Sequence, residues 1–215
     1  MSLARVHNFA ISLDGFGTGD GLTAEQPFGH AGERLHDWLF ATRWWGEEVG
    51  PPGGTGGVDD ALARQHGPGI GAEIMGSGKY GFPGWHEDPD WKGWWGPNPP
   101  FHSPTFILTQ HTRPPIEMEG GTTFHFIDAS PAEALEVARE AADGQDVRLG
   151  GGATMISEFL AAGLVDHMHL AVVPIVLGRG TRVWDGVEGL ENDYDIEATS
   201  SPSGVTHLTF TRTNA

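Results

Sequence analysis

Residues 147–163 read VRLGGGATMISEFLAAG, and the reading of this stretch decides the fold. Residues 146–149 form a short strand-like run that enters three consecutive glycines, Gly150, Gly151 and Gly152. Residues 153–162 then place Met155, Ile156, Phe159 and Leu160 on one helical face, and Gly163 is a helix stop. The order is strand, turn, helix. Glycine costs backbone entropy, so a run of it needs a geometric or chemical reason. One reading is a tight turn that requires positive φ. The other is an anion site, because the first N–H groups of a helix lack internal partners, the helix dipole favours negative charge there, and glycine lets a phosphate approach the backbone. The stretch lacks the lysine and Ser/Thr of a P-loop and is not a full dinucleotide fingerprint. Residue chemistry alone leaves both readings open.

Working outward, strands and helices alternate. Strands are expected at 5–12, 72–76, 105–109, 122–127, 146–152 and 167–178, with Pro174 disrupting the last. Helices are expected at 33–45, 59–66, 131–142 and 153–162. The third has a strong start, with Ser130 as N-cap, Pro131 in the first turn and Glu133 completing a capping box. Two strands near 194–199 and 205–213, joined by SSPSG, close the chain as an antiparallel hairpin. This alternation predicts an α/β fold with a mostly parallel sheet flanked by helices. The whole of 1–215 reads as a single domain, with an insertion at 82–104 rich in tryptophan, glycine and proline.

The formal net charge is −17, from 12 basic and 29 acidic residues. That argues against general nucleic-acid binding and against adhesion to an anionic membrane. There is no cysteine, which removes disulfides, thiolate metal sites and a cysteine nucleophile. The histidines and acids near the insertion have irregular spacing, so no metal is expected. No long apolar segment is present, and a cytoplasmic location is the expectation.

The strings FAISLDGF, IMGSGKYG, TFILTQHTRPP, VRLGGGATMISEFLAAGLVDHMHLAVVPIVLGRGTRVW and the closing strands, in this order, resemble the dihydrofolate-reductase-like superfamily. More closely, they are similar to the RibD C-terminal domain family, the reductase half of the bifunctional riboflavin deaminase-reductase. The resemblance runs from Arg5 to Arg212. It implies a mixed, mostly parallel sheet and an NADPH-dependent reductase that moves a hydride to a small heterocyclic or carbonyl substrate. A pyrimidine- or pterin-like compound, such as 5-amino-6-(5-phosphoribosylamino)uracil, would be of this kind. The deaminase half needs a cysteine-containing zinc site, which this chain does not carry. The alternative is a non-catalytic dinucleotide- or small-ligand-binding protein on the same fold.

By this resemblance the pyrophosphate lies on Gly150, Gly151, Gly152, Ala153 and Thr154. The turn Gly76, Ser77, Gly78, Lys79 and the turn Thr109, Gln110, His111 hold the rest of the nucleotide, with Arg113 close by. Ser77 stands where the family usually has arginine, so Lys79 is the expected source of charge. Asp14, after the first strand, and Asp37, on the first helix beside His36, are the candidate substrate-facing acids. Asp14 also reads as a turn aspartate and Asp37 as a solvated helix residue. Trp94 and Trp95 read either as a satellite core or as a wall for a flat substrate. The apolar run MHLAVVPIVL and the aromatic insertion lead us to expect a homodimer with a small-molecule substrate.

Overall fold

The computed structural model describes residues 2–213. In chain order its elements are β1 (Ala4–Ser12), β2 (Phe16–Thr18), α1 (Asp37–Phe40), α2 (Arg43–Glu48), α3 (Val58–Ala63), β3 (Ile70–Gly76) and α4 (Ser77–Tyr80). There follow β4 (Pro104–Leu108), β5 (Ile116–Glu117), β6 (Thr123–Ile127), α5 (Pro131–Ala141), β7 (Asp146–Gly151) and α6 (Ala153–Ala161). The last are β8 (His167–Val173), β9 (Thr181–Arg182), β10 (Tyr194–Ser200) and β11 (Thr206–Arg212). The main sheet has the order β10-β11-β8-β1-β7-β3-β4-β6-β5. From β8 to β6 every pairing is parallel. The β10–β11 hairpin adds antiparallel to β8. This is the expected mixed sheet with a C-terminal hairpin. Parallel strands bring their C-terminal ends to one edge, where an α/β sheet keeps its turns free for ligands.

Both faces of the sheet are covered. On one, α5 and α6 bury Leu135, Ile156, Phe159 and Leu160 against Val6, Ile74, Val147 and Leu149. On the other, Leu35, Trp38 and Leu39 cover Ala10, Ala171 and Val173. Residues of the insertion form a third cluster over Met75, Ile107, Phe124 and Phe126. The capping box of α5 is formed, with the Ser130 N–H donating to Glu133 Oε2 over 2.9 Å.

Two expected elements differ. The single helix at 33–45 is a short 3-10 turn followed by α1 and α2. Thr42 causes the break: its hydroxyl donates to the Leu39 carbonyl (2.6 Å) and accepts from the Trp45 N–H (3.1 Å), so it ends one helix and caps the next. The strand expected at 167–178 stops at Val173, since Pro174 has no N–H to continue the ladder.

A bulge in β1 has larger consequences. Asn8 has φ +55°, and the β1–β8 register shifts between Val6 and Phe9. The shift changes the alternation, so Arg5 and His7 face the same side as Ala10. His7, His167, His169 and His207 then line that face. His169 Nε2 and His207 Nδ1 are 3.0 Å apart, and His207 Nε2 lies 2.8 Å from Asp59 Oδ1. Burial pushes His169 from the ordinary 6.5 down to about 3, with His207 adding to it. Burial and then Arg5 push His7 down to about 2.

His7 and His169 are therefore neutral in the folded protein where an unfolded histidine takes up a proton. Below about pH 6.5 the unfolded chain binds more protons, so the stabilisation from neutral His7 and His169 is complete above that pH and lost as pH falls toward their folded values. Each contributes on the order of 1 kcal/mol per pH unit in that window. The melting temperature should fall between about pH 7 and about pH 5. A flat profile in thermal melts over that range would contradict the buried neutral rings.

Candidate functional site

Three turns meet at the C-terminal edge of the parallel strands. Met75 lies opposite Gly151, and Gly76 lies opposite Leu108. The turns that follow β7, β3 and β4 are thus neighbours at strand spacing, about 5 Å apart. Gly151 has φ +122° and Gly152 φ +93°, both in the region that favours glycine. Gly152 is the N-cap of α6 and gives no side-chain cap. The first helical bond there runs from the Ile156 N–H to the Gly152 carbonyl. The N–H groups of Ala153, Thr154 and Met155 come before it and have no helical acceptor.

Gly150 is a glycine for a different reason. A Cβ on it would collide with the Glu73 carboxylate, with Cδ only 2.7 Å away. Glu73 is fully buried at the centre of the sheet, beside Arg148 in the register of β3 and β7. It accepts from Arg148 Nε at 3.0 Å and from Arg148 Nη2, and from Lys79 Nζ at 3.3 Å. Lys79 also donates to the Gly150 carbonyl. The Phe101 ring lies 5.7 Å from Lys79 Nζ and 5.8 Å from the Arg148 guanidinium, closing the cluster from the insertion. Burial lowers the Lys79 ammonium below its ordinary value, and Glu73 opposes that shift. Lys79, expected to face a cofactor phosphate, is instead turned inward to hold α4 against β7.

The other turn residues have varied settings. Ser77 Oγ accepts from the Trp85 indole N–H over 3.0 Å, which fastens the insertion to the start of α4. Gly78 is exposed, and a Cβ there would meet nothing within 4 Å. Thr109 is buried and its hydroxyl accepts from the His111 N–H over 3.0 Å, while Gln110 and His111 are exposed. Arg113 donates to the Tyr80 hydroxyl and the Trp91 carbonyl and lies over the Phe126, Trp85 and Tyr80 rings. It is a pin for the insertion, not a free charge.

The two aspartates separate. Asp14 accepts from the Leu177 N–H (3.0 Å) and the Gly178 N–H (2.7 Å), clamping the loop after β8. Its hydrogen bonds, from Ser12 and then Leu177, hold the carboxyl down at about 2. Neither of the sequence readings of Asp14 anticipated this loop clamp. Asp37 is exposed and has no ion-pair or hydrogen-bond partner among the described residues. His36, which carried no role of its own in the sequence reading, packs between Phe28 and Phe40, with ring centroids 4.6 and 5.9 Å away. Burial lowers it to about 4, and the Lys79 charge contributes, so it lies in the field of α4. Its position one residue before Asp37 was the only signal in the sequence. Trp95 packs on Phe101 at 4.7 Å, and Trp94 on Trp91 at 4.7 Å, as a satellite core does.

Two surface depressions have no lining residue in the glycine turn. One of about 480 Å³ is lined by Trp91, Lys92, Glu117 and Met118, and one of about 430 Å³ by Asp14, Arg182, Trp184 and Leu208. No three metal-binding side chains come together among the described residues, and no described helix is long and apolar enough to cross a membrane.

The profile of the RibD C-terminal domain matches residues 87–211, more than half of the chain. The chain belongs to the RibD C-terminal domain family. The protein YyaP of Bacillus subtilis, itself uncharacterised, is 34% identical over 67 residues, a match that spans 31% of this chain and 36% of YyaP. A Shewanella sp. PV-4 protein assigned to riboflavin biosynthesis is similar in fold, with TM-score 0.59, 19% identity and full coverage of both chains. The Thermotoga maritima diaminohydroxyphosphoribosylaminopyrimidine deaminase/5-amino-6-(5-phosphoribosylamino)uracil reductase has TM-score 0.56 at 13% identity, covering 98% of this chain and 56% of that one. Dihydrofolate reductase of Enterococcus faecalis, solved with NADP(H), has TM-score 0.51 at 14% identity over 99% and 97%. RibD C-terminal membership and the dihydrofolate-reductase-like fold agree with the resemblance read from the sequence.

The buried cluster gives a direct test. Glu73→Ala leaves Arg148 buried without its counter-charge, which should cost about 3–5 kcal/mol. Chemical denaturation measures it, and a variant as stable as the parent would show that Glu73 does not hold the edge together.

Proposed function

We propose that this RibD C-terminal domain protein is an NADPH-dependent reductase of a small heterocyclic or carbonyl substrate. The observation that carries the reading is the uncapped first turn of α6 behind two glycines at positive φ. A pyrophosphate fits there: it would accept from the N–H groups of Ala153, Thr154 and Met155, and no Cβ stands in its way. Gly76, Ser77 and Gly78 form the neighbouring wall, and Thr109, Gln110 and His111 the one beyond it. The family and the folds of the Thermotoga and Enterococcus enzymes support the reading, and we infer a pyrimidine- or pterin-like substrate by analogy with them.

The nicotinamide supplies the hydride for a polarised C=N or C=O carbon when bound. The chain's own task is to orient the two partners and to deliver a proton. Asp37, the first residue of α1, has an exposed carboxylate, and we infer that it faces the substrate. Neutral His36, beside it, can hold a substrate oxygen or nitrogen by a hydrogen bond. Asp14 acts through the loop it clamps. We also infer a homodimer. Leu13 and Val176 are 63% and 66% exposed and adjoin each other, with Leu13 N–H bonded to the Ile175 carbonyl.

Binding of NADPH, followed by its fluorescence, tests the site. Gly152→Val should weaken it at least ~10-fold, or about 1.4 kcal/mol. Because valine at positive φ strains the turn, Gly78→Asp is the companion. It adds a negative charge in open space without strain, and should weaken binding while leaving the melting transition in place. Gly67→Val, at an exposed position with open space around it, should change nothing. Parent-like affinity in both site variants contradicts the reading. Oxidation of NADPH with pterins, pyrimidines, flavins and quinones then separates an enzyme from a binding protein without turnover. Light scattering at micromolar concentration should give the mass of a dimer, and a monomeric mass would contradict that assembly.

A further inference from the structure

The histidine face of the sheet contains one continuous hydrogen-bonded row. Asp59 Oδ1 lies 2.8 Å from His207 Nε2, and His207 Nδ1 lies 3.0 Å from His169 Nε2. His169 Nδ1 meets Asn8 twice, with the Asn8 N–H at 3.3 Å and Asn8 Oδ1 at 3.1 Å. Asn8 Nδ2 donates to the Ala63 carbonyl over 3.1 Å, which fixes the direction of the amide. Asp59 and Ala63 are the second and last residues of α3. Both ends of α3 are thus tied through β11, β8 and β1. In turn α3 holds α2, because Asp60 Oδ1 accepts from the Trp44 N–H over 2.6 Å.

Two proton arrangements fit this row. A carboxylate only accepts, so His207 Nε2 carries a hydrogen in both. In the first, both rings are neutral. His207 Nδ1 is bare and accepts from His169 Nε2–H, and the bare His169 Nδ1 accepts from the Asn8 N–H. Asn8 Oδ1 then faces a lone pair and has no donor. In the second, the pair has gained one proton. An N–H has formed at His169 Nδ1 and donates to Asn8 Oδ1. The N–H at His169 Nε2 has broken, and one has formed at His207 Nδ1. The positive charge lies on His207 beside the Asp59 carboxylate, and His169 stays neutral as its other tautomer. Burial, which holds His169 down at about 3, keeps the charge off that ring.

Few other charges face the pair. From β1 come His7 and Arg5, and Arg5 is occupied by His7 Nε2 at 3.0 Å and Asp146 at 3.2 Å. From β8 comes His167, stacked on His7 at 5.1 Å. The Trp38 ring of α1 meets His207 and His169 edge-on at 5.2 and 6.2 Å. On β11 the alternation places Thr209 and Thr211 on this face. Asp60, the other acid of α3, is turned to Arg64 and Trp44. Asp59 keeps 19% exposure, so an ion pair with His207 is only partly desolvated.

We propose that His169 and His207 form a proton-driven tautomer switch that changes how α3 is held on the sheet. Uptake of one proton pairs His207 with Asp59 and moves the Asn8 contact of His169 from the backbone N–H to the side-chain oxygen. The device is independent of the function proposed above. The folded pair still binds one proton fewer than two free histidines, so stability still falls toward acid.

Imidazole nitrogen resonances of the isotope-labelled protein, followed from about pH 8 to about pH 5, distinguish bare from protonated ring nitrogens. At the upper end His169 should be protonated at Nε2 and bare at Nδ1. Toward the lower end these two should exchange while His207 becomes protonated at both nitrogens, with one midpoint shared by the two rings. Asp59→Asn removes the counter-charge and should lower that midpoint by about one pH unit or more. Asn8→Gly suits the positive φ of the bulge, removes Oδ1 and should lower the midpoint as well. A His169 tautomer that stays fixed while His207 titrates overturns the switch. So does a pair in which neither ring changes over that range, or a midpoint that moves in neither variant.

Discussion

The structure depends on one buried carboxylate. Glu73 stands in the middle of a parallel sheet with no exposure to solvent, and an isolated charge there would be very costly. Arg148, its neighbour on β7, and Lys79, from the turn after β3, compensate it. That solution imposes two further conditions. The residue above the carboxylate must lack a side chain, and it is Gly150. The helix that carries Lys79 must lie against the end of β7. The turns after β3 and β7, already neighbours through strand pairing, are therefore tied together by an ion cluster beneath them.

The glycine run thus joins two kinds of necessity in three residues. Gly150 makes room for a carboxylate, whereas Gly151 and Gly152 adopt positive φ and leave the first turn of α6 bare. A turn that only needed to change direction could have ended in Ser, Thr or Asp, which would have capped the helix. Gly152 leaves those N–H groups without a side-chain acceptor. The cluster below and the bare helix end above belong to the same short turn.

Much of this was legible in the sequence because it rests on local rules. The strands at the heart of the sheet, the capping box of α5, the amphipathic face of α6 and the closing hairpin follow from periodicity and turn chemistry. The break at Thr42 was not legible, because the apolar spacing of Leu35, Trp38 and Leu39 continues across it while one hydroxyl closes two helix ends. The inward turn of Lys79 was hidden too, because it depends on Glu73, six residues earlier and one strand position from Arg148. A charge in a glycine-rich turn reads as available until its partner across the sheet is known. The histidine face shows the same limit. The bulge at Asn8 sets it; asparagine tolerates positive φ, but a lone asparagine inside RVHNFAIS does not by itself mark a bulge.

The central claim is that an anionic cofactor occupies the bare end of α6. The most direct measurement is the backbone amide spectrum of the isotope-labelled protein during titration with NADPH. The account predicts the largest shifts at Ala153, Thr154 and Met155, with Gly76 to Gly78 moving alongside them. Shifts confined to the depressions near Trp91 or Trp184, with these amides unmoved at saturation, would contradict it.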